Sequence, residues 1–302
     1  MPLIGLGCWM GVPGGGQRVY DMCKKAIAIG YRHIDTAAGY ANEEQVGQAI
    51  RDSGIPRKEF FVTTKLANTD HHDVPRALDT SLSKLGMDYV DLYLVHWPQA
   101  SLDGRALAPD EHPTINDTWE GMEKVYKDGK AKAIGVSNFS IRTLEELEKT
   151  WTIVPSVNQV EMHPFLPWNE LKIHCDLKMI HLTAYSPIGR PNSGSKAPSL
   201  LQNETIVSVA EKYGVTASQV LLSWSVQRGS SVIPKSENEE RLRQNITILR
   251  MEDPDLKAIN ELYKQPGLHR SVLTYHKEGG IFGWTYEQLG WPFNGEGVVV
   301  NA

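Results

Sequence analysis

Short apolar runs alternate along the chain with longer stretches in which apolar residues recur every three or four positions. The runs predict strands at residues 3–6, 33–35, 60–65, 90–96, 131–137, 155–161, 179–186 and 230–234. The periodic stretches predict helices at 17–29, 43–52, 74–85, 114–127, 141–149, 169–176, 206–213 and 217–227, with another after residue 239. Strands that alternate with helices at this spacing pair in parallel through right-handed crossovers, and about eight such units close a (β/α)8 barrel. A doubly wound sheet is the competing arrangement. It places a GxGxxG loop after its first strand, and "GVPGGGQ" at 11–17 lacks that spacing, so Gly14, Gly15 and Gly16 read as a flexible turn. No compositional break marks a linker, so residues 1–302 are expected to form one domain, with 265–302 as a C-terminal loop and tail.

Composition narrows the class without naming a function. Hydrophobic residues at 41% and charged ones at 22% fit a globular domain and give no sign of disorder. A net charge of −5 offers no footprint for nucleic acid or an anionic membrane, so any anionic ligand needs a few local cations. Cys8, Cys23 and Cys175 have no CxxC spacing and cannot all pair, which favours a reducing compartment. The start "MPLIGLGCWMG" lacks a basic leader and no apolar run is long enough to span a bilayer; a cytoplasmic protein is expected. His71, His72, His163, His174 and His181 show neither HExxH nor facial-triad spacing, so no metal is expected.

In a barrel the C-terminal ends of the strands converge on one open face, so polar residues there carry the chemistry. Asp35 ends the second predicted strand and Tyr40 follows in its loop; Lys65 ends the third and His96 the fourth. Taken singly these would be a turn cap, a rim aromatic, a solvated terminus and a core histidine. Together at successive strand mouths they suit proton donation by a phenol. An ammonium at Lys65 would pull the Tyr40 pKa down, by roughly 3 pH units or about 4 kcal/mol for a desolvated pair. A carboxylate at Asp35 would keep the buried lysine charged, and His96 would turn a ring nitrogen toward the substrate oxygen.

The segments "GYRHIDTAAGYANEEQVGQAI", "TTKL" and "VDLYLVHWP" resemble motifs of the aldo-keto reductases, NADPH-dependent carbonyl reductases on a (β/α)8 barrel, and the likeness covers nearly the whole chain. The resemblance implies that Asp35, Tyr40, Lys65 and His96 are catalytic. It further implies that Ser137, Asn138 and Gln159, in "GVSNF" and "VNQVEMHP", hold the nicotinamide carboxamide. Tyr185 of "AYSPIG" would stack on the nicotinamide ring with Ser186 near the pyrophosphate. Lys235, Ser236 and Arg241 of "IPKSENEERLRQN" would grip the adenosine 2′-phosphate and Asn245 the adenine. Trp9 and Trp97 match pocket aromatics, whereas Trp119 and Trp224 read as core residues. The C-terminal "SVLTYHKEGGIFGWTYEQLGWPF", with Tyr275, Phe282 and Trp284, would fold over the pocket and tune selectivity.

Four departures from the family pattern carry expectations. The first strand lies almost at Met1, so the N-terminal hairpin that plugs the barrel bottom in most relatives is absent or truncated. Gln244 stands where many relatives carry glutamate, Ala67 where animal members often have tryptophan, and "RPNSGSKAPS" is a short loop that would leave the cofactor less tightly belted. The resemblance to fungal-type reductases implies a monomer acting on small aldehydes and ketones: glyceraldehyde-like, aromatic or aldose. Some relatives on this barrel are instead NADPH-binding regulatory subunits; those usually carry asparagine where this chain has His96, which favours the reductase.

Overall fold

The computed structural model describes residues 1–189, 199–273, 276 and 279–300. Tyr275 and most of the short loop after "AYSPIG", residues 190–198, lie outside the described residues. The strands are β1 (Leu6–Gly7), β2 (His33–Asp35), β3 (Phe61–Leu66), β4 (Leu92–Val95), β5 (Ser101–Leu102), β6 (Arg105–Ala106), β7 (Ile134–Ser137), β8 (Val157–Glu161), β9 (His181–Tyr185), β10 (Ser231–Val232), β11 (Gly280–Ile281) and β12 (Trp284–Thr285). The helices are α1 (Gly16–Ile29), α2 (Glu43–Arg51), α3 (Val74–Leu85), α4 (Ile115–Lys127), α5 (Ile141–Glu148), α6 (Asn169–Leu177), α7 (Glu204–Tyr213), α8 (Ala217–Gln227), α9 (Glu239–Ile246), α10 (Asp253–Asn260) and α11 (Tyr286–Leu289).

Eight strands pair in parallel in the order β1-β2-β3-β4-β7-β8-β9-β10. The sheet closes on itself through the Ile4–Val232 bridge, where Gly5 N donates to Val232 O at 2.8 Å and Val232 N to Leu3 O at 2.8 Å. The expected (β/α)8 barrel is thus the observed one. Its first strand begins three residues later than expected, β2 matches the expected 33–35, β3 is shifted by one residue, and the other five are trimmed at their ends.

Side-chain alternation decides what faces the barrel interior. In β4, Leu92 and Leu94 join Val157 of β8 and Phe61 of β3 in an inner cluster, while Tyr93 and Val95 face the helices within the main core. The same parity along β3 carries Phe61 inward and therefore Thr63 and Lys65, leaving Val62 and Leu66 in the outer core. In β8 it groups Gln159 and Glu161 with Val157. Hence Lys65 and Gln159 reach the mouth from inside. Trp119 and Trp224 are core residues, 1% and 0% exposed.

The helix shell packs tightly against itself as well. A Cβ on Gly47 of α2 would lie 2.0 Å from the carbonyl oxygen of Leu85 at the end of α3, a backbone atom that cannot step aside. Gly47→Ala is therefore expected to cost about 1–3 kcal/mol by forcing the two helices apart; urea denaturation measures it, and an unchanged midpoint would refute the close approach.

The C-terminal segment is stitched to the mouth at two places. The β11–β12 hairpin docks on the β4–α4 connection: the buried Gln99 donates to Ile281 O at 3.0 Å and Trp284 Nε1 to Leu107 O at 2.6 Å. Nearby, Glu161 at the end of β8 accepts from Ser271 Oγ at 2.5 Å and from Val272 N at 2.9 Å, with His163 Nε2 3.0 Å away. Burial would raise the Glu161 carboxyl, but His163, Ser271 and Val272 together hold it below its ordinary value. A depressed carboxyl stabilises the fold above its unfolded pKa of about 4.3 and loses that contribution as pH falls through the folded value. Glu161→Gln is expected to lose about 2–3 kcal/mol and to open the C-terminal segment to proteases at neutral pH, as acid does for the parent. Equal cleavage rates for parent and variant would count against this anchor.

Candidate active site

Asp35, Lys65, Tyr40 and His96 meet at one end of the barrel. Lys65 is fully buried, and its Nζ donates to Asp35 Oδ1 at 2.5 Å and to Thr36 O at 2.9 Å; the Tyr40 hydroxyl stands 3.4 Å away. Burial alone would depress the ammonium, yet the Asp35 and Tyr40 oxygens overturn this and hold its pKa above the ordinary value. The rings of Tyr40 and His96 meet edge to face at 5.5 Å, and Trp9 closes the other side of Tyr40 at 5.0 Å. Desolvation first, then Lys65 and His71, push His96 well below its usual pKa, so it is a neutral hydrogen-bonding ring at pH 7.

One expectation is corrected here. The Tyr40 pKa lies above its ordinary value, because burial of the phenol outweighs the downward pull of Lys65 and the Asp35 charge adds a further upward push. The same low-dielectric setting that strengthens the lysine's influence also penalises the phenolate. Tyr40 therefore rests as a phenol with its proton in place.

The Tyr40 loop is fixed by residues whose role was hidden in the sequence. Tyr40 closes a short 3-10 turn (Ala38–Tyr40), and Ala41 follows at φ 53°, a left-handed conformation that costs a non-glycine residue about 1–3 kcal/mol. Asn42 reads as the N-cap of α2 but makes no cap hydrogen bond. Its buried amide instead donates to Cys8 O at 2.9 Å and accepts from Thr36 Oγ1 at 2.7 Å, bracing the loop against β1 and β2. Gly14 N donates to Tyr40 O at 2.7 Å. Gly14, Gly15 and Gly16 all have positive φ, at 95°, 105° and 47°, the left-handed backbone that a glycine turn admits, and through Gly14 this turn is bonded to that loop.

The residues expected to face the nicotinamide join the same network. Gln159 Nε2 donates to Asp35 Oδ2 at 2.7 Å, Asn138 Nδ2 to His96 O at 2.9 Å, and Tyr185 Oη to Asn138 Oδ1 at 2.8 Å; Ser137 Oγ donates to Gln159 O at 2.8 Å. Asn138 and Ser186 take positive φ, 65° and 48°, as they leave their strands. A small cavity opens beside them, lined by Trp97, Asn138, Tyr185, Trp168, Ile281 and Trp291 among others. Trp97 is buried and packs edge-on at 5.1 Å against Phe282, which the β11–β12 hairpin carries over the mouth. Ala67 follows β3.

Past β10 lie Lys235, the buried Ser236, the exposed Arg241 near the start of α9 and the buried Asn245. Lys235 pairs with Glu237 at 2.6 Å, and Gln244 donates to Glu240 at 3.2 Å rather than reaching toward the mouth. Two cations and a hydroxyl within seven residues suit a phosphate, while amides beside a flat phenol suit a carboxamide-bearing ring. The donor set thus fits NADPH, with Glu237 an acid in its midst. Among the described residues no group of three or more His, Cys, Asp or Glu is placed to hold a metal ion, and no helix is long and apolar enough to cross a membrane.

The sequence profile described as "Aldo/keto reductase family" matches residues 4–264. The chain is 44% identical over 293 residues to an aldehyde reductase of Saccharomyces cerevisiae, covering 90% of both chains. To the glycerol 2-dehydrogenase (NADP(+)) of the same yeast it is 45% identical over 291 residues, again covering 90% of each. Among solved structures it superposes on an aldo-keto reductase of Bombyx mori in complex with NADP with a TM-score of 0.80 at 38% identity, covering 86% of this chain and 89% of that one. With its closed parallel barrel and the Asp35, Lys65, Tyr40 and His96 cluster at the strand mouths, this chain belongs to the aldo/keto reductase family.

Proposed function

We propose that the protein is an NADPH-dependent carbonyl reductase in which Tyr40 is the proton donor. The observation that carries this is the buried Lys65 ammonium, bonded to Asp35 and 3.4 Å from the Tyr40 hydroxyl, with His96 against the same ring. Bound NADPH supplies the hydride. Asn138, Gln159 and Ser137 would orient its carboxamide, Tyr185 would cover one face of its ring, Ser186 would lie by the pyrophosphate, Lys235, Ser236 and Arg241 would hold the 2′-phosphate, and Asn245 would meet the adenine.

The substrate carbonyl oxygen would lie within reach of Tyr40 and His96. Neutral His96 donates a hydrogen bond that orients the oxygen, and Tyr40 delivers its proton as negative charge builds there. Lys65 stabilises the phenolate that remains, and Asp35, held by Gln159, keeps Lys65 charged. Run backwards, the same groups oxidise an alcohol.

Trp9, Trp97 and Phe282 give the mouth an apolar wall around one polar point, which suits small aldehydes and ketones. The relatives' own activities, aldehyde reductase and glycerol 2-dehydrogenase (NADP(+)), favour the small end of that range, an aldehyde in the one case and the three-carbon hydroxyketone formed from glycerol at its second carbon in the other. Following NADPH absorbance across aliphatic, aromatic, aldose and keto-ester substrates tests this, and no turnover with any carbonyl would refute it. We further read residues 1–302 as one domain acting as a monomer, a reading supported by an acid–base cluster that one barrel completes by itself; sedimentation checks it. A reducing, cytoplasmic setting is supported by Cys8 and Cys23, whose sulfurs stand 3.8 Å apart as free thiols.

A further inference from the structure

One carboxylate stands between Lys235 and the exposed Arg18 of α1. Glu237 Oε1 accepts from Lys235 Nζ at 2.6 Å, and its two oxygens take a forked pair from Arg18, 2.9 Å from Nε and 2.8 Å from Nη2. The neighbouring acids face elsewhere, for Glu239 pairs with Arg243 at 2.7 Å and Glu240 with Gln244 at 3.2 Å. Arg18 and then Lys235 hold the Glu237 carboxyl down to about 2, so it carries its charge at neutral pH. The only cation of β10's exit loop therefore meets any incoming anion already paired.

We propose that Glu237 sets cofactor discrimination: it competes with the adenosine 2′-phosphate for Lys235 and accepts a hydrogen bond from the free 2′-hydroxyl of NADH, narrowing the preference for NADPH. This rests on the assignment of Lys235, Ser236 and Arg241 to the 2′-phosphate. A phosphate dianion beside a fixed carboxylate must share one ammonium with it, and like charges at that range repel. A ribose hydroxyl makes no such demand, and a carboxylate is the group that dinucleotide sites use to accept its hydrogen. Arg18 works the other way. Its fork draws Glu237 toward α1 and cancels part of its charge, leaving Lys235 more available to phosphate. The discrimination is thus set by a balance between two chain segments, 219 positions apart at Arg18 and Glu237.

Binding of NADPH, NADH and adenosine 2′-monophosphate is measured by tryptophan fluorescence and calorimetry for the parent, E237Q, R18Q and K235Q, with thermal melts as a check on folding. In E237Q, NADPH and adenosine 2′-monophosphate are expected to bind about five- to tenfold more tightly and NADH no better, raising the NADPH-to-NADH affinity ratio about tenfold, or 1.4 kcal/mol. R18Q is expected to lower that ratio. A ratio that stays constant or falls in E237Q, with K235Q still weakening adenosine 2′-monophosphate, overturns the role of Glu237 alone. If K235Q binds adenosine 2′-monophosphate as well as the parent does, the phosphate assignment fails and the inference with it.

Discussion

Tyr40→Phe is expected to lower carbonyl reduction by about 10²–10⁴-fold while leaving NADPH affinity and thermal stability near those of the parent. The substitution removes one oxygen and keeps the ring, so contacts with Trp9 at 5.0 Å and His96 at 5.5 Å persist. The lost Lys65 contact, at 3.4 Å, is at the long limit of a hydrogen bond, and Lys65 retains Asp35 and Thr36. What disappears is the proton. The pH profile of the parent makes the same point from another side. Because burial raises the Tyr40 pKa, the phenol keeps its proton through neutral pH, so reduction should run flat from about pH 6 to 9 and fall only above the ordinary tyrosine value near 10. Alcohol oxidation needs the phenolate and should rise over the same span. Undiminished turnover in the Phe variant would remove Tyr40 from the chemistry.

Lys65→Met is expected to damage both the fold and the reaction. It leaves the Asp35 carboxylate buried with no cation beside it, a loss of about 3–5 kcal/mol. It also removes the charge that stabilises the phenolate, so turnover should fall at least as far as in the Phe variant of Tyr40. The sign with pH is fixed by the raised Lys65 pKa. A cation whose folded pKa exceeds its unfolded value of about 10.4 contributes stability below that value and loses it as pH climbs through the folded one. Urea unfolding of the parent should therefore weaken above about pH 10.5 by a contribution that the Met variant lacks. If both proteins unfold at the same urea concentration at pH 7, Asp35 and Lys65 do not depend on each other as described.

Much of the scaffold is legible in the pattern of apolar residues, because helix periodicity survives whatever the rest of the chain does. The expected helices at 74–85 and 217–227 coincide with α3 and α8, and the eight parallel strands follow the expected order. Strand ends are less legible: 131–137 reads as one strand, but Ala131 makes an isolated bridge to Val90 and the ladder proper starts at Ile134. The two-residue strands of the β5–β6 and β11–β12 hairpins are too short to leave any alternation. Within the site, residue types at strand mouths are readable, but partnerships across the chain are not. Gln159 bonds Asp35 from 124 positions away, and Asn42 carries a helix-cap signature while serving a loop. The direction of the Tyr40 shift was hidden for a different reason, since it depends on burial against charge rather than on which residues are present.

Gln99 and Trp284 join a segment from the first third of the chain to one near its end. During synthesis the barrel that buries Asp35 and Lys65 can close once Val232 meets Ile4, before Ile281, Phe282 and Trp284 leave the ribosome. A nascent or clipped chain would therefore hold reactive groups in an unwalled basin, and selectivity for one carbonyl over another is the last property the protein acquires.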